Sequence, residues 1–310
     1  MSISRNEPAG NGDIALSGFH HITSIAGSAQ ATAGFYREII RLQLVKRSVN
    51  PEDPYCYHLY FGDGQAAPGT LLSFMNWPGA VSGRRGHGEA VSVSLNLNGT
   101  AFRQLLEAII MREIGITRHN DRQLTLSDPD GMELHIHCTD NEWLLPQKHK
   151  CAAVRIGGVS LRVPEPGISV DFFKDQLGMV QTGSSGEKAV LGFRNGQDSW
   201  LRVTGGQEDP ALTACGSIHH IAFTVQDRAT LTAFYDSLKT AGFNPSAIID
   251  RRYYESLYVR EPGGVLVELA TAGPGFHTDE LLSELGTKLM LPEHLESWRN
   301  EIVAKLPHIS

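Results

Sequence analysis

One order of elements recurs four times along the 310-residue chain: an alternating strand, a helical stretch, then strands ending in a turn and a last strand. Repetition of this kind constrains the fold, because a single unit cannot bury its own apolar face and has to pack against another. The first unit opens at Phe19, is helix-like over 30–42 and closes on Pro68-Gly69-Thr70-Leu71-Leu72-Ser73-Phe74. The second spans Ala90 to His135 with a helix over 101–114, and closes through Asp128-Pro129-Asp130-Gly131. The third opens at Gly158, has its helix over 168–177 and ends weakly near Trp200-Leu201-Arg202-Val203. The fourth opens at Ile218, has a helix over 228–241 and closes on Pro262-Gly263-Gly264-Val265-Leu266-Val267-Glu268-Leu269. The predicted fold is α+β: four βαβββ modules forming two domains of curved mixed β-sheet half-barrels with flanking helices, plus a C-terminal helical tail. The expected domains are 17–140 and 152–274, separated by the polar run 141–151 with Pro146 and Lys148-His149-Lys150. The tail, 275–310, is expected to pack over a domain as amphipathic helices at 279–289 and 292–306.

Two of the openings match residue for residue in their chemistry. Phe19-His20-His21-Ile22-Thr23 is echoed by Ile218-His219-His220-Ile221-Ala222. In the fourth module Ile221, Phe223 and Val225 form one apolar face, so His220 points the other way; the same phase sends His21 and Thr23 inward. In the closing strand Val265, Val267 and Leu269 take the covered face and Glu268 the opposite one. Two imidazoles and one carboxylate are the donor set of a non-haem Fe(II) site with open positions, Mn(II) or Zn(II) being the alternatives. For His21 to meet His220 and Glu268, the first and fourth modules have to pair, leaving the second and third to form the other half. Aligning Pro68 with Pro262 puts Phe74 at the place of Glu268, which limits the protein ligands to three. Aligning Pro129 with Pro262 puts His135 there, without a companion histidine, so His135 and His137 are read as structural or surface residues. Strict alternation turns His20 and His219 to the face opposite the ligands.

Charge and composition narrow the partners. A net charge of −7 and a pI near 6.0 offer no field for a nucleic-acid backbone. No run of about 18 apolar residues occurs, and the polar start lacks an export signal, so the expectation is a cytoplasmic protein with no membrane partner. The four cysteines, Cys56, Cys138, Cys151 and Cys215, are widely spaced and read as reduced packing thiols.

The modules, the His-His openings and the Pro-Gly-Gly-x-x-x-Glu closing resemble the vicinal oxygen chelate superfamily, which includes glyoxalase I, extradiol dioxygenases and bleomycin-resistance proteins. Within it, Tyr57-His58-Leu59-Tyr60-Phe61-Gly62-Asp63, Gly83-Arg84-Arg85-Gly86, Ser256-Leu257-Tyr258-Val259-Arg260 and Pro274-Gly275-Phe276 resemble the ring-cleaving dioxygenases of the hydroquinone type. The resemblance implies iron ligands at His21, His220 and Glu268, the residues that strand phase also selects. It further implies supporting roles for His20, Thr23, Tyr258 and an arginine that is either Arg251 or Arg252. Tyr258 shares the phase of Ser256 and Arg260, which suits a phenol that hydrogen-bonds bound oxygen or relays a proton.

The expected activity is Fe(II)-dependent cleavage of a hydroquinone- or catechol-type aromatic diol with O₂, by a chain that is free to form a homo-oligomer. A glyoxalase-like lyase or isomerase is the alternative, although it would normally use a fourth protein ligand where Phe74 is expected. A metal-free binding or resistance protein is the third, although it needs no such donor set.

Overall fold

A computed structural model describes residues 15–140, 154–186 and 188–309. The expected linker, 141–151, lies outside these residues. Each module has the predicted order. Module 1 comprises β1 (Gly18–Ala26), α1 (Ala29–Gly34), β2 (Gln43–Asn50), β3 (Asp53–Gly62) and β4 (Leu71–Asn76). Module 2 comprises β5 (Glu89–Asn98), α2 (Gly99–Met111), β6 (Arg118–Asn120), β7 (Gln123–Ser127) and β8 (Glu133–Thr139). Module 3 comprises β9 (Val154–Val163), α3 (Pro166–Asp171), β10 (Val180–Ser185), β11 (Lys188–Gly192) and β12 (Trp200–Gly205). Module 4 comprises β13 (Ile218–Val225), α4 (Arg228–Thr240), β14 (Ile249–Asp250), β15 (Tyr254–Arg260) and β16 (Leu266–Pro274).

The helices start where the sequence supplies a cap. Ser28, Asn98 and Asp227 accept hydrogen bonds from the backbone N–H three residues on, at Ala31, Ala101 and Thr230. Helix α3 instead begins with Pro166, whose missing N–H costs nothing at that position. Helices α1 and α3 each widen into a π turn, Phe35–Ile39 and Phe172–Gln176, which carries the aromatic pairs Phe35-Tyr36 and Phe172-Phe173 into the core.

In every module the closing strand pairs in parallel with the opening one, a long crossover that two eight-stranded mixed sheets share. One sheet runs β14-β15-β16-β13-β1-β4-β3-β2, joining modules 4 and 1 through the antiparallel pair β13·β1. The other runs β10-β11-β12-β9-β5-β8-β7-β6, joining modules 3 and 2. The first sheet is therefore built from the two modules farthest apart in sequence, and the second from the two consecutive modules between them. A continuous apolar core extends through all four modules. Polar links cross it, among them the Tyr36 hydroxyl of module 1 donating to Asp128 of module 2 at 3.0 Å.

The tail departs from its expected helices. Over 279–289 there is only a short 3-10 turn, Leu282–Glu284. Leu281 and Leu282 are exposed while Leu285 is buried, so the apolar residues there do not share one buried helix face. Gly286 has φ +73°, and a Cβ on it would lie 2.1 Å from the Leu44 carbonyl oxygen; the chain passes β2 too closely for a helix to continue. The second stretch is helical but mixed, a 3-10 segment Glu293–Trp298 followed by α5 (Arg299–Lys305).

Candidate metal centre

The central strands β1 and β13 each bulge at the first histidine of their pair. Register passes from Phe19↔Phe223 to His21↔Ala222 around His20, and from Thr23↔His220 to Ser24↔Ile218 around His219. A bulge sets two residues against one and breaks alternation, so the expectation that His20 and His219 turn to the opposite face is overturned. Nδ1 of His20 lies 2.8 Å from Nδ1 of His21, and the His219 and His220 pair repeats the same 2.8 Å contact. Each contact occupies Nδ1 of the second histidine and leaves its Nε2 facing inward. The two Nε2 atoms stand 3.2 Å apart.

Glu268 reaches this point from β16, paired with Ala222 on one side and Tyr258 on the other. Its Oε2 lies 3.1 Å from Nε2 of His21 and 3.0 Å from Nε2 of His220. These three buried side chains are the one group of His, Cys, Asp and Glu among the described residues whose donor atoms come close enough to hold a metal. Glu268 is fully buried, yet neither carboxylate oxygen accepts a hydrogen bond. Burial alone would raise this carboxyl, but the imidazoles of His21 and His220 hold it well below the ordinary range. An ionised carboxylate in that setting needs a positive charge among the three groups. Protons on the imidazoles suit it poorly, since burial pushes His220 down toward its neutral form. A divalent cation suits it well: a triangle of two nitrogens and one oxygen with edges of 3.0–3.2 Å is a set of lone pairs aimed at a common point.

Polar side chains surround the triad. On the His220 side, Tyr258 packs edge-on against the His220 ring at 5.4 Å and receives a 3.3 Å hydrogen bond from Arg251. Burial pushes the Tyr258 phenol well above its usual range, so it is a neutral donor. Of the two arginines, Arg251 is the one that meets Tyr258; Arg252 turns away to the Leu291 carbonyl and Asp279. On the His21 side, Thr23 Oγ1 lies 2.7 Å from Ser73 Oγ, Ser73 lies 3.2 Å from Nε2 of His58, and Nδ1 of His58 lies 3.2 Å from the Tyr60 hydroxyl. Tyr254 stacks obliquely on His20 at 4.8 Å.

Ser73, and not Phe74, holds the place equivalent to Glu268. Thr23 pairs with Ser73 as Ala222 pairs with Glu268. The one-residue difference reverses the face, and Phe74 lies instead among Tyr36 and Phe61 in the core. The consequence for ligand count stands, because a serine supplies no carboxylate.

Comparison with known proteins identifies the family of the chain. The glyoxalase/bleomycin resistance protein/dioxygenase superfamily matches over residues 155–269. MhqA of Bacillus subtilis, provisionally named a ring-cleaving dioxygenase, is 32% identical over 95% of this chain and 99% of its own. The chain belongs to that superfamily. Among its members, the chlorohydroquinone/hydroquinone 1,2-dioxygenase of Sphingobium indicum is 29% identical over 93% of this chain and 95% of its own. A Bacillus subtilis crystal structure, provisionally described as a dioxygenase, superposes with TM-score 0.87 at 28% identity, covering 96% and 98% of the two chains. Maize glyoxalase I shares the fold, at TM-score 0.62 and 17% identity over 82% of this chain and 92% of its own.

One further sequence expectation concerns His135, and several residues at the site carried no expectation. His135 lies on β8 beside Glu133, 2.7 Å away and partly exposed, and is not part of the metal-ligating group. His58, Tyr60, Tyr254 and Ser73 line the site but were not singled out from sequence. The signal was present in the alternation of Tyr57-His58-Leu59-Tyr60-Phe61, where Leu59 and Phe61 are core residues and the intervening pair faces the other way.

Proposed function

We infer that this protein is an Fe(II)-dependent dioxygenase that opens the ring of a dihydroxybenzene with O₂, with His21, His220 and Glu268 as the iron ligands. The observation that carries this reading is the buried triad with three protein donors and a serine in the fourth place, which leaves coordination positions for substrate and O₂. The relatives named for ring cleavage and for hydroquinone oxidation support it. Iron bound there supplies a path for electron density from an electron-rich ring to oxygen. His20 and His219 hold the Nδ1 side of each ligand imidazole and so orient it, a role such partners commonly have. Tyr258, held by Arg251, presents a phenolic O–H beside Glu268 and His220, where it can donate to an oxygen atom of substrate or O₂. Thr23 fixes the Ser73 hydroxyl. Mn(II) or Zn(II) fits the same donors, but only a redox-active metal suits the reaction with O₂. Three free cysteines among the described residues agree with a cytoplasmic setting, and no helix is long and apolar enough to cross a membrane.

The test is O₂ uptake by anaerobically iron-loaded protein with a panel of hydroquinones and catechols, followed by product analysis for ring opening. Consumption of one O₂ per ring opened is expected. No uptake with any diol, together with isomerisation of a glutathione hemithioacetal, would move the protein to the lyase class.

A further inference from the structure

Modules 1 and 4 form two equivalent halves of one sheet, and they differ at the site in a correlated way. Tyr60 pairs with Ser73 as Tyr258 pairs with Glu268. Two residues before each tyrosine stand His58 in module 1 and Ser256 in module 4, so these too are equivalent. Module 4 combines a long carboxylate with a small serine; module 1 combines a small serine with an imidazole. The room that a fourth ligand would take is thus partly filled by His58, a side chain that hydrogen-bonds but lies outside the metal-ligating group.

The surroundings suit ligand contact. Ser73, Thr23 and Tyr60 are buried, whereas His58 keeps partial exposure, as do Tyr258 and Arg251 on the facing half. His58 lies within electrostatic reach of His21, His220, Arg251 and Glu268, beside the triad. Burial keeps the imidazole neutral, so it offers one donor and one acceptor. Ser73 and Tyr60 touch its two nitrogens at 3.2 Å, a length that a better-placed ligand hydroxyl can replace.

We propose that His58, steadied by Ser73, is a specificity-determining residue that receives the substrate hydroxyl lying away from the metal. The proposal rests on the diol reading above. A para-diol coordinated through one oxygen carries its second hydroxyl across the ring, where it needs a polar partner. An ortho-diol turns both oxygens toward the metal, and phenol has no second hydroxyl; neither uses His58.

Anaerobic equilibrium binding to metal-loaded protein tests this without turnover, with hydroquinone, catechol and phenol as probes. His58→Leu should weaken hydroquinone about tenfold, the size of one lost hydrogen bond, and leave catechol, phenol and metal content unchanged. His58→Gln, which keeps a donor and an acceptor, should recover part of the loss. Ser73→Ala removes a hydroxyl without bulk and should act in the same direction, so the proposal stays open to refutation even if His58→Leu fails to fold. Equal weakening of all three probes, or an unchanged ratio of hydroquinone to phenol affinity, would overturn it. Wild-type protein that binds none of the three would instead defeat the diol reading, and the role of His58 with it.

Discussion

The ammonium of Lys46 is fully buried and lies 2.5 Å from Glu280 and 2.7 Å from Asp279. Lys46 stands on β2, while both carboxylates belong to the tail, so this cluster fastens the tail to module 1. Lys46 also donates to the Phe276 carbonyl and sits over the Tyr253 ring at 4.6 Å. Phe276 in turn packs on Tyr60 and Tyr253, which links the fastening to the wall of the site. Lys46→Met should cost about 3–5 kcal/mol, because it leaves carboxylates buried without their partner. Denaturant unfolding measures the loss, and faster proteolysis within 276–290 would show that the tail has loosened. A change below about 1 kcal/mol would mean that the carboxylates reach water on their own.

Removal of the carboxylate should abolish the effect of metal on stability. For wild-type protein, Fe(II) or Mn(II) added without oxygen at about a hundred times the dissociation constant should stabilise by about 2.7 kcal/mol. Glu268→Gln should weaken metal binding by about a thousandfold or more and so show no such shift at the same metal concentration, with an unchanged circular dichroism spectrum. A variant that retains a full metal-dependent rise in Tm would remove Glu268 from the ligand set.

Tyr258→Phe keeps the ring that packs on His220 and deletes one hydroxyl. If that hydroxyl donates during the reaction, kcat should fall by about 10²-fold or more while iron content stays the same. An unchanged kcat would return Tyr258 to packing.

Asp128 makes a pH-dependent contribution away from the site. Burial raises its carboxyl from 3.8 to about 6, despite the bonds it accepts from the Met132 and Asp130 amides and from Tyr36. Between those values the folded chain holds a proton that the unfolded chain has released, so stability falls as pH rises from about 4 to about 6. The whole effect is about 3 kcal/mol. The stability of Asp128→Asn relative to wild type should therefore rise by that order between pH 4 and pH 7, as followed by urea midpoints. A difference that is flat with pH would refute the raised value.

Much of the site was legible because its residues obey a local rule. Along β13 and β16 the apolar residues Ile221, Phe223, Val267 and Leu269 claim the core face, and His220 and Glu268 are left the other by geometry alone. The same rule could have found His58 and Tyr60. It failed where backbone pairing between distant strands intervened. The bulges at His20 and His219 depend on how β1 and β13 register with each other, and no local pattern in either strand carries that information. Ser73 was missed for a related reason: turns of similar sequence, Pro68-Gly69 and Pro262-Gly263, deliver their strands one residue out of step, and one residue exchanges faces. The tail shows the same limit, since its apolar spacing allows a helix that the close passage of Gly286 against Leu44 forbids.

The sequence by itself therefore determined the four modules, their strand phases and the three side chains that meet at the candidate site, because alternation and capping act between near neighbours. Only the tertiary structure decided that Arg251 and not Arg252 meets Tyr258, that both histidines of each pair serve the same face, and that Ser73 and His58 stand where a fourth ligand would. The placement of the histidines is set by register between β1 and β13, about 200 residues apart, and that of Ser73 and His58 by the pairing of β4 with β1 and β3; both are properties of the assembled sheet.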